Sequence, residues 1–596
     1  MPITAASAAG SLTPGNLLVS TSVWTTDANI TSGTTQLPPN CGSRADNPCA
    51  TAIANGTYPI VFNNDAIDGS FGVTQPIVLD ELNPTTGAQI TSVEVPNSSQ
   101  GLGASADQMV TSFSSKSEIA LNQATDLNDV TFMGYVAPVA ALDVSNSDTP
   151  GAVDITNSAG TTPYYRAVAQ LDPSGNFQYT ETNAYSGNNG RSAIFNPTTS
   201  SFYMTGNAGN GANPEPQGVV EGVGSQIMAP ANAAESAQSP KAPTPMGNFN
   251  IRQLPANTTS DKSAKDDNFR GLTVSNNVIY YSKGSGSNGI NTVYFLDTTG
   301  TACPSTGVGV PASGATLPSA ATFPSPTYST STPALGLTTT NPGLTPTNTC
   351  VLNGFPTVLA KTATDSSMYP FGIWFANPTT VYVADEGAGD NTYSASPSPA
   401  GQYTAAAAST TAGLEKWTFD GSKWNLAYTL QNGLNLGTPY TVASSGGNSY
   451  PTGTNSFTNT KGTTTTGPWT PAVDGLRNLT GKVNGDGTVT LWATTSTVSF
   501  SGDQGADPNA LVSITDNLGD TTAAQASTES FSTPMMPTYG QVVRGVSFTP
   551  ATGIPGTPVP EVPWAPLLPL SAAIIGGGIL WERSRRRGRQ ALPLAV

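Results

Sequence analysis

Phe269-Arg270-Gly271-Leu272-Thr273-Val274-Ser275-Asn276-Asn277-Val278-Ile279-Tyr280-Tyr281-Ser282 reads as two short strands folded about an Asn-Asn turn. Asparagine tolerates the positive φ that a two-residue hairpin needs, and β-branched and aromatic residues suit the flanking strands. A third strand follows at Asn291–Leu296 and ends in Asp297-Thr298-Thr299-Gly300. The same rhythm returns at Pro370–Phe375, turning at Asn377-Pro378-Thr379 into Val381–Ala384, then Leu414–Phe419, Asp420-Gly421 and Trp424–Leu430. It returns again at Leu476–Leu479, where Asn484-Gly485-Asp486-Gly487 leads to Thr488–Ala493 and then Ala510–Thr515 with Asp516. Two earlier copies start at Glu118 and Arg191. The first has Arg166–Leu171 as its third strand and Asp172-Pro173-Ser174-Gly175 as its turn, and the second turns first at Asn196-Pro197-Thr198-Thr199.

The leftover pieces decide how the copies are arranged. Val543-Arg544-Gly545-Val546-Ser547-Phe548 is a first strand with nothing to follow it, whereas Asn16–Val23, Pro76–Leu79 and Ile90–Val95 are second, third and fourth strands without a first. Joined, they make a sixth unit from the two ends of the chain, and a closed ring has no open sheet edges. Over residues 15–548 the chain therefore resembles β-propellers, through strand rhythm and not through a signature motif. The expected fold is all-β with six four-stranded blades. Seven blades, a β-helix or a row of sandwiches are the competing arrangements. Long connections at Thr25–Val73, Tyr135–Tyr165, Gly206–Gly218, Glu386–Ala412, Asn432–Val473 and Thr494–Asn509 should all emerge on one face, where function is expected.

Composition narrows the function. Only 10% of the residues are charged, against roughly 25% in a typical soluble protein. The net charge is −16, and five of the 22 basic residues are the arginines at 583, 585, 586, 587 and 589. Without these and Glu582, residues 1–581 carry 17 basic against 37 acidic groups, a net −20 that repels phosphate backbones and argues against nucleic acid as a partner. Histidine is absent, which removes Ser-His-Asp and Cys-His nucleophile pairs and His-ligated zinc. The four cysteines form two local pairs, Cys41/Cys49 and Cys303/Cys350, best read as disulfides from an oxidising compartment. The second pair brackets a Ser/Thr/Pro-rich insertion, 301–349, between a third and a fourth strand.

The C-terminus reads as an anchor. After the linker 549–561, the twenty uncharged residues 562–581 are followed at once by the basic tail 582–596. Twenty residues at about 1.5 Å each just span a hydrocarbon core of roughly 30 Å, and the arginines mark the cytoplasmic side. Val559-Pro560-Glu561-Val562-Pro563, Leu567–Leu580 and Arg585-Arg586-Arg587 resemble the PEP-CTERM-type sorting tails of bacterial exported proteins. That resemblance implies export and a single-pass anchor holding the propeller on the outer side of the cytoplasmic membrane or at the cell surface. Residues 1–14 read as a remnant export segment or disordered lead, with Ala6-Ser7-Ala8 resembling a cleavage site whose upstream part is expected before Met1.

Candidate ligand residues follow from the repeat. Arg191, Arg270, Arg477 and Arg544 sit at equivalent blade entries, with Asp267 and Asp474 just upstream of two of them. Such a ring would either form a polar cup for an anionic or hydroxylated ligand or tie neighbouring blades together. Asp385, Glu386 and Asp390 are candidate oxygen ligands for Ca²⁺, although no complete calcium-loop motif is present. Trp374, Trp417, Trp424 and Trp492 lie in strand patterns and read as core. The expected function is non-catalytic binding of a glycan, peptide or cell-envelope partner through the long-loop face. The rival is a metal-dependent hydrolase resembling the lactonase and phytase propellers, with carboxylates as ligands and base.

Overall fold

In a computed structural model, residues 11–551 are described except 26–27, 40, 42–48, 104–105, 151–161, 183, 208–223, 231–245, 253, 255–265, 285, 287, 304–305, 323–346, 363–367 and 397–400. The proposed export segment, most of the linker, the apolar stretch 562–581 and the basic tail lie outside the described residues. Six four-stranded antiparallel sheets follow one another as expected. Blade 2 is built from Asn122–Gln123, Val130–Tyr135, Arg166–Leu171 and Phe177–Thr182, and blade 3 from Gly190–Asn196, Ser201–Gly206, Ser225–Met228 and Met246–Ile251. Blade 4 has Leu272–Ser275, Val278–Lys283, Thr292–Leu296 and Thr347–Leu352; blade 5 has Pro370–Asn377, Thr380–Asp385, Gly413–Phe419 and Trp424–Leu430. Ala472–Val483, Thr488–Val498, Leu511–Asn517 and Ser532–Met535 make blade 6.

Blade 1 closes the circle. Its inner strand, Gln541–Phe548, pairs antiparallel with Leu17–Val23, setting Leu18 opposite Ser547 and Val19 opposite Val546; Ile77–Leu82 and Gln89–Glu94 complete the sheet. Side chains reinforce this pairing from both neighbours. The Asn509 amide donates to the Val543 carbonyl at 3.0 Å and accepts from its N–H at 2.7 Å, binding the closing strand to blade 6. On the other flank, the Ser20 hydroxyl donates to the Ile119 carbonyl at 2.6 Å and accepts from the Gly545 N–H at 2.8 Å.

The repeat has a chemical basis in its turns. Asp172, Asp297, Asp420 and Asp486 each accept a backbone N–H two residues on through Oδ1, as do Asn196 and Asn377. These short side chains substitute for a backbone acceptor and hold the hairpin closed. Asn276 and Asn277 adopt φ of 48° and 59°, the left-handed geometry their position demands.

Blades pack face to face through apolar layers. Between blades 4 and 5, Tyr280, Val293, Phe295, Ile373, Phe375, Val381, Trp417 and Trp424 share one core; between blades 5 and 6, Tyr382, Leu414, Leu476, Leu491 and Ile514 share another. Trp492 is likewise buried, and Trp374 packs against the second of these cores. The inner strands approach so closely that only glycine fits at some positions. A Cβ on Gly271 would lie 1.9 Å from the Phe371 carbonyl oxygen, and one on Gly545 would lie 2.6 Å from that of Ile119. A fully buried ion pair, Lys416–Asp516 at 2.9 Å, ties blades 5 and 6, and the Tyr428 hydroxyl donates to the same carboxylate.

Three features exceed the repeat. Met246–Ile251 pairs in parallel with Thr347–Leu352, joining the outer edges of blades 3 and 4 into one sheet. The stretch read as the loop Asn432–Val473 contains a hairpin, Thr454–Thr458 with Thr464–Pro468. Both expected disulfides form, and they differ in setting. Cys303–Cys350 spans 47 residues with Cα atoms 5.8 Å apart, closes the insertion and is buried at both ends. Cys41–Cys49 spans only eight residues, with Cα atoms 5.7 Å apart, and Cys49 is exposed to solvent while Cys41 is half-buried. Cys49 therefore belongs to neither the core nor the site described below. Its bond fastens one surface loop within the connection Thr25–Val73, beside the small pair Gln36–Leu37 and Ala50–Thr51. Two disulfides fit an oxidising environment. Among the described residues no helix is long and apolar enough to cross a membrane.

Candidate functional site: a charged axis beneath a loop-lined depression

Six charged side chains, one from each blade or its entry, act on one another around the ring. Arg544 comes from blade 1, Glu118 from the entry to blade 2, Arg191 from blade 3, Arg270 from the entry to blade 4, Glu386 from the end of a blade 5 strand and Arg477 from blade 6. Their fields overlap from neighbour to neighbour. Arg191 feels Arg270, Glu118 and Glu386; Arg270 feels Glu386 and Arg477; Arg544 feels Arg477 and Glu118. The four arginines singled out in the sequence therefore do converge.

They are held by different means. Arg477 Nε makes an ion pair with Glu386 Oε2 at 3.1 Å across the blade 5–blade 6 boundary. Arg191 Nη1 donates to the Asn268 side chain and, at 2.6 Å, to the Phe269 carbonyl of the next blade. Arg544 Nη2 donates to the carbonyls of Phe113 and Gly505, the latter at 2.8 Å. Arg270 reaches past blade 3 to the Ser117 hydroxyl at 2.7 Å. It sits deep enough for burial to lower its pKa yet keeps part of its surface accessible. Glu118 accepts from Thr111, from the Ser112 N–H and from the Tyr135 hydroxyl at 2.5 Å. Burial first, then neighbouring like charge, lowers the pKa of Arg191, and burial with Arg477 brings Arg544 down to about 9.

The aspartates stand one layer out. Asp474 Oδ2 accepts from the Gly389 N–H at 2.7 Å, while Asp266 and Asp267 act on Tyr294 and on Lys283, whose pKa burial brings down to about 7. The calcium candidates are spread over separate tasks. Asp385 accepts from the N–H groups of Tyr369 and Gly387, Glu386 serves Arg477, and Asp390 accepts from Thr392 within its own turn. Among the described residues no three His, Cys, Asp or Glu side chains gather within reach of one metal ion. Burial raises both Asp385 and Asp474 to about 7.

Above the axis the long loops leave a depression of about 220 Å³ lined by Asp65, Lys116, Asn391, Phe457, Ser499, Phe500, Gly502, Asp503 and Gln504. It adjoins the charged ring directly. Lys116 is two residues from Glu118 and acts on Asp474, Gly505 accepts from Arg544, and the charge of Asp503 reaches Arg544. Burial, then repulsion from Asp503 and Asp68, raises Asp65 to about 8, which favours the protonated form that can donate a hydrogen bond. The depression presents amide, ammonium and carboxyl groups beside two phenyl rings.

Sequence reasoning found the arginines but missed Glu118 and Glu386 as members of their ring. Glu118 stands at the blade entry that carries arginine in four other blades, so its position was the available signal; its opposite sign concealed it. Glu386 directly follows a second strand, Thr380–Asp385, and only the fold brings it to the ring.

Fold and site define a six-bladed β-propeller with a buried, arginine-rich axis under a polar, loop-built depression. The chain matches no protein-family model and no curated protein sequence.

Proposed function

We propose that this chain is an exported, non-catalytic binding propeller that takes a glycan or other polyhydroxylated envelope component in the depression on its long-loop face. The observation that carries the reading is the lining. Lys116, Asn391, Gln504 and a protonated Asp65 offer donors and acceptors in several directions, with the rings of Phe457 and Phe500 alongside. Sugars are held by this combination of convergent polar groups and an apolar face. The size suits one sugar ring with its neighbours left outside. Export is supported by the two disulfides and by the sorting-tail resemblance, and the apolar stretch 562–581 with its arginines supports an outward-facing single-pass anchor.

The metal-dependent hydrolase needs several carboxylates aimed at one ion. Asp385 and Asp474 are instead bonded to backbone amides, Glu386 to Arg477, and Glu118 to Thr111, Ser112 and Tyr135. Binding of the purified protein to an oligosaccharide array, repeated with Phe457→Ala and Lys116→Ala, tests the reading. Retention of specific glycans by the parent and their loss in both variants is expected. Equal retention by all three proteins, or none by any, removes it.

A further inference from the structure

Arg166 shows what a satisfied buried arginine looks like in this protein. All three of its nitrogens donate: Nε to Asn188 O at 2.9 Å, Nη1 to Ser147 O at 2.7 Å and Tyr164 O at 2.9 Å, and Nη2 to Ser145 O at 3.1 Å. Arg544 and Arg191 differ. Arg544 is 2% exposed, yet its Nε and Nη1 meet no acceptor among the described residues; Arg191 is 3% exposed, and its Nε meets none there either. A buried donor without a partner costs about 1–3 kcal/mol, more when charged. Among the described residues these open donors lie on an axial ring of four guanidinium groups and two glutamates, with Asp503 also acting on Arg544, in a body that is strongly acidic. Both glutamates are occupied, Glu386 by Arg477 and Glu118 by Tyr135, Thr111 and Ser112. The next carboxylates out, Asp385 and Asp474, bond to backbone N–H groups, and Asp266 and Asp267 flank Lys283.

We propose that the axis is an anion site: the guanidinium groups of Arg544, Arg191 and Arg270 hold a small oxyanion, supplied either as a free inorganic ion or as the acidic group of a ligand entering from the loop face. Arginine is suited to this through its several fixed donors and its weak hydration. Arg270, partly accessible and bonded across the ring to Ser117, stands where the ion enters. The site is independent of whether a neutral sugar occupies the depression above it.

The purified full chain, dialysed into a buffer without oxyanions, is titrated calorimetrically with sulfate, phosphate, glucuronate and, as a neutral control, glucose. A portion is denatured before dialysis and the released anions are identified by ion chromatography. Saturable one-to-one uptake of an oxyanion, or release of one equivalent on denaturation, is expected, with affinity at least tenfold weaker in Arg270→Gln at an unchanged circular dichroism spectrum. Uptake of glucuronate without sulfate or phosphate assigns the acidic group to a sugar ligand; uptake of sulfate or phosphate assigns it to a free ion. The proposal falls if neither uptake nor release is seen, or if Arg270→Gln and the milder Arg270→Lys both bind as the parent does. Glucose binding bears only on the depression.

Discussion

On the inner strands the spacing between blades is set by single atoms. Gly271 and Gly545 leave no room for a methyl group against the Phe371 and Ile119 carbonyls, and backbone cannot rotate away as a side chain can. Gly271→Ala should therefore lower stability by about 1–3 kcal/mol in urea denaturation. Gly485→Ala, in a turn where an added Cβ meets nothing, should stay within about 0.5 kcal/mol of the parent. Protonation gives a second handle. Asp474 is 3% exposed and titrates near pH 7 in the folded protein because burial disfavours its charge, whereas an unfolded aspartate titrates near about 3.9. The folded state thus binds more protons between those values. Its contribution is fully present below about pH 4 and is lost as pH rises to about 7. Asp474→Asn removes this dependence while leaving an acceptor for Gly389. The fall in unfolding free energy from pH 5 to pH 7.5 should be smaller in the variant by about 2 kcal/mol. Equal falls in both proteins would contradict the assignment.

Elements show where local sequence stops being informative. Hairpins were legible because Asn276-Asn277 and the Asp-led turns state their geometry in their own residues. The parallel pairing of Met246–Ile251 with Thr347–Leu352 had no such signal, since its partners lie about a hundred residues apart and no turn connects them. The Thr454–Pro468 hairpin was hidden by threonine-rich composition that reads equally well as loop. Two ties between elements can be measured. Replacing both Cys303 and Cys350 by serine should cost about 4 kcal/mol in the chain-entropy account of a loop this long, read from guanidinium denaturation with and without reductant. Removing one member of the Lys416–Asp516 pair strands a buried charge, so Asp516→Ala should cost about 3–5 kcal/mol. The double variant Lys416→Met with Asp516→Leu should recover part of that loss, because no unpaired charge is left by the pair while the Tyr382 and Tyr428 hydroxyls lose their acceptor.

At the scale of the whole molecule, the blade count and ring closure were readable because one orphan strand at the end of the chain matched three at its start. The depression was not readable. Its walls come from five separate connections, and no one of them carries its shape. The charged axis lies between these cases. In a chain with few ionic residues, arginines at repeated positions stand out, but their glutamate partners are recruited by topology. Antiparallel pairing of Leu17–Val23 with Gln541–Phe548 also brings residues 13 and 549 together, the Thr549 hydroxyl donating to the Thr13 carbonyl at 2.7 Å. A circular permutant that links residue 549 to residue 13 by a short glycine-rich bridge and opens at Gly485 should fold with the parent's circular dichroism spectrum. Deleting residues 541–548 should abolish cooperative unfolding.

That closing strand is also the last described one to be made. During translation every other blade emerges before the segment that covers the edge of Leu17–Val23. For that interval the newborn polypeptide carries an unsealed seam, with few lysines nearby to discourage pairing with another copy. Crowded synthesis should therefore be this molecule's most vulnerable moment, and escort by a holding chaperone matters most just before the final eight residues of the ring arrive.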